Sequence, residues 1–242
     1  MRLRNVKNAR EKLEASKYFV KEPEKNKGNW SNSSKINLEI GTGKGDFLIG
    51  MATTYPDILF IGVEKYESVL VRAIEKAEDL NLSNLKFICY DAAKIDNVFD
   101  HEIDTIYLNF SDPWPKTKHH KRRLTSPLFL ENYDKIFKDE KHIVQKTDNI
   151  DLFAYSLEEL SKHGYTLEKV SLDLANDKIF ICENCKGILK ELALYRWDNK
   201  AEKDKVIKEH DHACDDMRYF VNTVAGNRLL KGLIRKGGSN ND

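Results

Sequence analysis

The chain has 242 residues, 40% of them hydrophobic, and a formal net charge of +1. That is enough apolar material for one substantial α/β core, and too little length for two full domains. A charge so near zero excludes a protein that grips nucleic acid over its whole surface, so any such affinity must come from cations placed together. No run approaches the roughly 18 apolar residues of a membrane span and the N-terminus has no signal-peptide core, which predicts a cytoplasmic protein without a membrane partner.

Residues 1–34 are polar and basic and close with the loop-like "GNWSNSS", so they are expected to form an N-terminal extension, with the ordered core beginning after them. "KINLEIG" then reads as a strand ending in a glycine turn, "GDFLIGMATTYP" as a helix and "ILFIGVEKY" as a second strand. The alternation continues with a helix in "SVLVRAIEKAEDLN", strands in "LKFICYD" and "IDTIYLNF", a helix in "SPLFLENYDKIFK", a strand in "HIVQKTD" and a helix in "DLFAYSLEELSKHG". Nearly continuous apolar strands alternating with helices predict an α/β fold, a mostly parallel central sheet with helices on both faces. In such a sheet, functional groups gather at the carboxyl ends of the strands.

The first strand end is "LEIGTGKGDF", with Glu39 on the strand and Gly41, Gly43 and Gly45 in the turn before a helix. Glycines let a ligand approach the backbone and leave the first helical amides free to donate. No Walker Lys-Ser or Lys-Thr pair follows, and Asp46 stands where a dinucleotide fold has its third glycine, which excludes a P-loop and weakens a nicotinamide reading. Glu64 ends the second strand, where a carboxylate accepts from ribose hydroxyls, and Asp91 ends the third, where it can accept from an adenine amino group. Three acids in a row repel a pyrophosphate and attract S-adenosylmethionine, with its sulfonium, ammonium and ribose.

The fourth strand runs into "LNFSDPWPKTKHHKRRLT". Pro113 and Pro115 predict that Asp112 and Trp114 leave the strand extended, with Asp112 at the lip of the sheet. A carboxylate there can accept from the ring N–H and amino group of guanine, and Trp114 either stacks on a base or packs in the core. Lys118, His119, His120, Lys121, Arg122 and Arg123 are placed to hold phosphates beside an extruded base.

"LEIGTGKGDF", "GVEKY", "YDA", "LNFSDPWPKTKHHKRRL", "KTDN" and the opening "MRLRN" together resemble the successive motifs of the bacterial tRNA (guanine-N7-)-methyltransferases, a resemblance running to about "SLDL", residues 171–174. It implies a Rossmann-like, S-adenosylmethionine-dependent methyltransferase core over residues 35–174, acting on a guanosine in the tRNA variable loop. By motif, it implies that Glu39, Gly41, Gly43, Gly45, Glu64, Asp91 and Asp112 contact the cofactor, and that Asp112 is also the catalytic residue. It further implies that Lys116 and Asp148 meet the substrate, and that Lys118 through Arg123 touch RNA. A binding protein without turnover and a small-molecule methyltransferase stay open as alternatives, as does the choice between monomer and homodimer.

Residues 175–242 depart from the family, which closes with a Thr-Glu-Tyr-Glu or Thr-Glu-Phe-Glu stretch not found in this chain, and they are expected to form a divergent segment packing on the core. Cys182 and Cys185 form one Cys-x-x-C pair, but His212 and Cys214 do not make a second well-spaced pair, and no metal site is expected. With Cys89 these thiols do not suggest a disulfide framework either.

Overall fold

Alternating side chains sort the apolar residues of the strands onto two faces of one sheet. The computed structural model describes residues 6–30, 35–173 and 178–183, and the chain divides into two units, Met1–Tyr165 and Thr166–Asp242. In the first unit, β1 (Lys35–Ile40), β2 (Ile58–Glu64), β3 (Leu85–Cys89), β4 (Ile103–Asn109) and β5 (Phe137–Thr147) lie in the order β3-β2-β1-β4-β5, every pairing parallel. Phe60 and Phe87 point into one cluster with α2 (Asp46–Thr54) and α3 (Glu67–Ala77), whereas Ile61, Val63 and Ile88 point into another with α4 (Pro127–Asp134) and Leu160 of α5 (Ile150–Lys162). The expected parallel sheet with helices on both faces is therefore the fold. Side chains such as Leu38, Ile61 and Leu108 are fully buried, each contributing on the order of 1.5–3 kcal/mol relative to exposure.

The described N-terminal residues from Ala9 to Val20 are not set apart from this core. α1 (Ala9–Ala15) buries Ala9 and Leu13 against the α2/α3 cluster, and Tyr18 and Phe19 follow them inside. The Phe87 amide donates to the Tyr18 carbonyl at 2.8 Å and the Val20 amide donates to the Phe87 carbonyl at 2.9 Å, so the segment lies along the free edge of β3. An exposed edge strand is a template for unwanted pairing, and this strap covers it. The Lys- and Glu-rich composition hides the four apolar anchors.

Two element boundaries also differ from the sequence expectation. α4 stops at Asp134 and β5 begins at Phe137, because Phe137 is buried and pairs with Ile103, while a register shift between Ile103 and Thr105 absorbs the extra length. A 3-10 helix over Ala92–Asn97, buried through Ile95, provides the crossover from β3 to β4 for which the sequence pattern gave no element.

In the second unit, β6 (Leu167–Asp173) and β7 (Lys178–Glu183) form an antiparallel pair, with Val170 opposite Ile181. Ser171–Asp173 thus lie in the second unit, which begins at Thr166. The expected packing of residues 175–242 and the thiol and imidazole groups of Cys182, Cys185, His212 and Cys214 lie outside what is described. Among the described residues no helix is long and apolar enough to cross a membrane.

Candidate active site

Strand order reverses between β1 and β4: from β1 the chain moves outward to β2 and β3, and from β4 to β5. A crevice opens at such a switch point, at the carboxyl ends of the strands. One hydrogen bond spans it. Asn109, the last residue of β4, donates from Nδ2 to Oε1 of Glu39 on β1 at 2.8 Å, and Thr42 in the glycine turn donates from Oγ1 to the other oxygen, Oε2, at 2.7 Å. Glu39 is 2% exposed. Burial pushes its carboxyl up to about 7, with the charge of Asp46 acting in the same direction and the two hydrogen bonds opposing. Both donors are neutral, so the carboxylate form has no counter-charge among the described residues.

The three glycines play different parts. Gly45 has φ 76°, and a Cβ there would meet the Ala73 Cβ at 2.8 Å, so this glycine is needed for the close packing of α2 on α3. Gly41 and Gly43 also have positive φ, but a Cβ would find nothing nearer than 4.0 Å and 3.9 Å respectively, leaving their outer side open to a ligand. The Gly43 amide donates to Oε2 of Glu64 at 3.2 Å, while Oε1 of Glu64 accepts from the amides of Lys65 at 2.8 Å and Tyr66 at 3.0 Å. Glu64 thereby ties the glycine turn to the start of α3. Asp91 accepts from the Ala93 amide at 3.0 Å and pairs with Lys65 at 2.7 Å. That Lys65 hydrogen bond is the main reason its carboxyl sits below the ordinary range. The edge is rich in acceptors and has at its deepest point a carboxyl with no cation beside it among the described residues, an acceptor set that fits a ligand carrying positive charge and hydroxyl groups.

The fourth strand end is not the extended exit that the prolines predict. Phe110 has φ 48° and Trp114 has φ 42°, left-handed values that cost a residue with a side chain roughly 1–2 kcal/mol each. The loop between them raises Asp112, exposed and engaged by no ion pair among the described residues. Arg123 holds this shape. Its side chain is only 2% exposed; Nε donates to the Pro113 carbonyl at 2.7 Å and Nη2 to the Trp114 carbonyl at 3.5 Å, and its guanidinium lies 4.5 Å from the Tyr155 ring centroid on α5. The expected RNA contact is therefore withdrawn from Arg123, whose donors turn inward. Trp114 has the Arg122 guanidinium 4.9 Å from its ring centroid and the His119 ring edge-on at 5.8 Å, while His120 packs edge-on against Tyr155 at 5.4 Å. Lys118, Lys121 and Arg122 stay exposed, as does Lys116 at the start of the 3-10 helix Thr117–Arg122.

At the fifth strand end, Asp148 is exposed in the short turn between β5 and α5. The Asn149 amide donates to Thr147 Oγ1 at 3.1 Å and Asn149 Oδ1 accepts from the Leu152 amide at 2.8 Å, capping α5 and fixing the turn. Glu39, Glu64, Asp91, Asp112 and Asp148 thus sit at the carboxyl ends of five parallel strands. Sequence reasoning missed Asn109 and Phe110, both inside the quoted motif. An amide beside an aromatic at a strand end carries no local signal.

The sequence itself has close relatives. Residues 33–185 match the family model described as "Putative methyltransferase". The tRNA (guanine-N(7)-)-methyltransferase of Lachnoclostridium phytofermentans is 48% identical over 179 residues, which cover 72% of this chain and 84% of that protein. The protein of the same name from Geobacillus sp. is 49% identical over 182 residues, 73% of this chain and 83% of its own length. Among solved structures, a SAM dependent methyltransferase from Aquifex aeolicus superposes with a TM-score of 0.50 at 16% identity, over 74% of this chain and 98% of that one, a likeness of fold.

Proposed function

The chain belongs to the family of tRNA (guanine-N(7)-)-methyltransferases, and from that premise we propose that it transfers a methyl group from S-adenosylmethionine to N7 of a guanosine in the variable loop of tRNA. The observation that carries the reading is the meeting of two unlike surfaces at the switch point: an edge of carboxylates around the uncompensated Glu39, and a loop exposing Lys116, Lys118, Lys121 and Arg122.

When bound, S-adenosylmethionine supplies an electrophilic methyl group on a positively charged sulfur. Glu39 provides the missing counter-charge for a cationic ligand, held in orientation by Thr42 and Asn109. The carboxylate of Glu64 accepts from ribose hydroxyls while keeping the glycine turn in place, and Asp91 offers an acceptor to an amino group. Gly41 and Gly43 leave room for close approach.

Guanine N7 carries an in-plane lone pair and no proton, so no residue of this chain has to remove one from it. What remains for the protein is to hold the purine in line and to offset the positive charge that develops on its ring, the two largest contributions available to such a site. Asp112, raised by the loop that Arg123 braces, is the catalytic residue in this electrostatic sense. Lys116 and Asp148 flank it as substrate contacts, and Lys118, Lys121 and Arg122 neutralise phosphates on either side of the target. His119 and His120, which pack edge-on against Trp114 and Tyr155, complete the RNA-contacting segment. A tRNA substrate places the work in the cytoplasm.

The test is transfer of radiolabelled methyl from S-adenosylmethionine to unmodified tRNA by the full chain, with the product nucleoside identified by mass. The wild type is expected to place label in 7-methylguanosine, and Asp112→Ala to reduce the rate at least about 100-fold. A wild-type protein that binds S-adenosylhomocysteine but transfers no label defeats the reading.

A further inference from the structure

Phe110 is an exposed aromatic residue held in a left-handed backbone conformation at the switch point. Its φ is 48° and it is 51% exposed. Neither property follows from packing: an aromatic side chain gains from burial, and a turn that needs positive φ is served best by glycine. Strain of this kind persists where the surrounding structure imposes it, and it gathers at binding and catalytic sites.

The surroundings here are specific. Phe110 follows Asn109, whose side chain bridges to Glu39, and precedes Asp112 by two residues. Its amide donates to the Lys146 carbonyl at 2.7 Å, which pins it to the end of β5 two residues before Asp148. The Lys146 ammonium lies 5.3 Å from its ring centroid and occupies one face of the ring. Trp114, the other strained aromatic of the loop, already has Arg122 on its ring and His119 at its edge. Of the two, Phe110 is the more exposed residue, between the segments that carry both acceptor carboxylates.

We propose that Phe110 is the platform on which the extruded purine of the target guanosine stacks. A base leaving an RNA stack loses its neighbours' π surfaces, and single-stranded recognition replaces them with an aromatic side chain, leaving the base edges to polar groups. A ring set by backbone strain between Asp112 and Asp148 gives the purine a plane, so that the carboxylates meet its edge. The left-handed turn lifts the ring out of the core at the cost of stability.

This inference rests on the proposed methyl transfer to guanosine, and its test separates the two. Phe110→Gly, Phe110→Tyr and the wild type are compared in tRNA methylation kinetics, S-adenosylhomocysteine binding and thermal unfolding. Glycine relieves the strained φ while deleting the ring. Phe110→Gly is therefore expected to keep cofactor affinity and to melt no lower than the wild type, yet to lose about 5- to 150-fold in kcat/KM for tRNA. Phe110→Tyr is expected to stay within about threefold of the wild type. Wild-type kcat/KM in Phe110→Gly overturns the platform, and so does a parallel loss of cofactor binding and melting temperature, which would make the residue structural. If the wild type itself transfers no methyl group, the functional reading has failed and the platform with it.

Discussion

The two halves of the crevice are built on opposite principles. At the ends of β2 and β3 the acids are satisfied by neighbouring strand ends and turns, Glu64 by three backbone amides and Asp91 by an amide and Lys65, so the shape is fixed by a strand, a turn and the helix after it. At the end of β4 the loop is held from outside, by Arg123 reaching back to Pro113 and Trp114 and by α5 supporting Arg123 through Tyr155. The contrast teaches that charge in a sequence does not report its own direction: Arg123 is an internal brace, while Arg122, one residue earlier, faces solvent.

The sharpest test of the acidic half concerns Glu39. Its carboxyl lies at about 7 when folded and at the ordinary 4.5 when unfolded, so the folded state holds the proton more tightly. The stability this provides is fully present below pH 4.5 and is lost as pH rises through 7, a decline of about 3 kcal/mol. Denaturant unfolding of the ligand-free protein at a series of pH values should show that decline in the wild type and its absence in Glu39→Gln. Because a cationic ligand favours the carboxylate, S-adenosylmethionine affinity should rise over the same range and fail to do so in the variant. Identical pH dependence in the two proteins would remove the buried carboxyl as the cause.

Arg123→Ala should cost about 2 kcal/mol of stability, since two carbonyls lose their donor and Tyr155 loses its cation, and methyl transfer should fall with it. Arg123→Lys is expected to recover little, because one ammonium cannot reproduce the guanidinium fork. Calorimetric melting of both variants beside the wild type checks this, and unchanged melting with weakened tRNA binding would restore Arg123 to the RNA surface.

The smallest effect belongs to the exposed cations. Replacing Lys118, Lys121 and Arg122 together by Ala should leave cofactor affinity and folding intact while weakening tRNA binding and flattening its dependence on salt. If each cation neutralises one phosphate, the slope of log K against log salt should become less negative by about 2 to 3. An unchanged slope would place the tRNA elsewhere.

Much of this architecture was legible in the sequence, for a physical reason. The glycine turn and the strand-end acids are local devices, each readable from a strand followed by a turn, and parallel strands then bring their ends to one edge without further information. Asn109 was not legible, because its meaning depends on β4 lying beside β1, which joins residues 70 apart. Phe110 was missed because no local preference places an aromatic side chain at positive φ; only tertiary contacts impose it. The proline rule failed at Trp114 for the same reason, overridden by Arg122, His119 and the grip of Arg123 on its carbonyl.

The strap from Tyr18 to Val20 has a consequence for the order in which the molecule assembles. Its partners are Phe87 and Leu82, the latter's amide donating to the Tyr18 hydroxyl across 64 residues of sequence. During synthesis the strap emerges before its partners and must wait until β3 has been made before it can dock, and closing so long a loop is entropically slow. Between the completion of β3 and the docking of the strap, β3 presents a bare edge. The nascent β-α-β-α-β half is thus a species with its aggregation-prone side open, and the strap sets the moment at which that exposure ends.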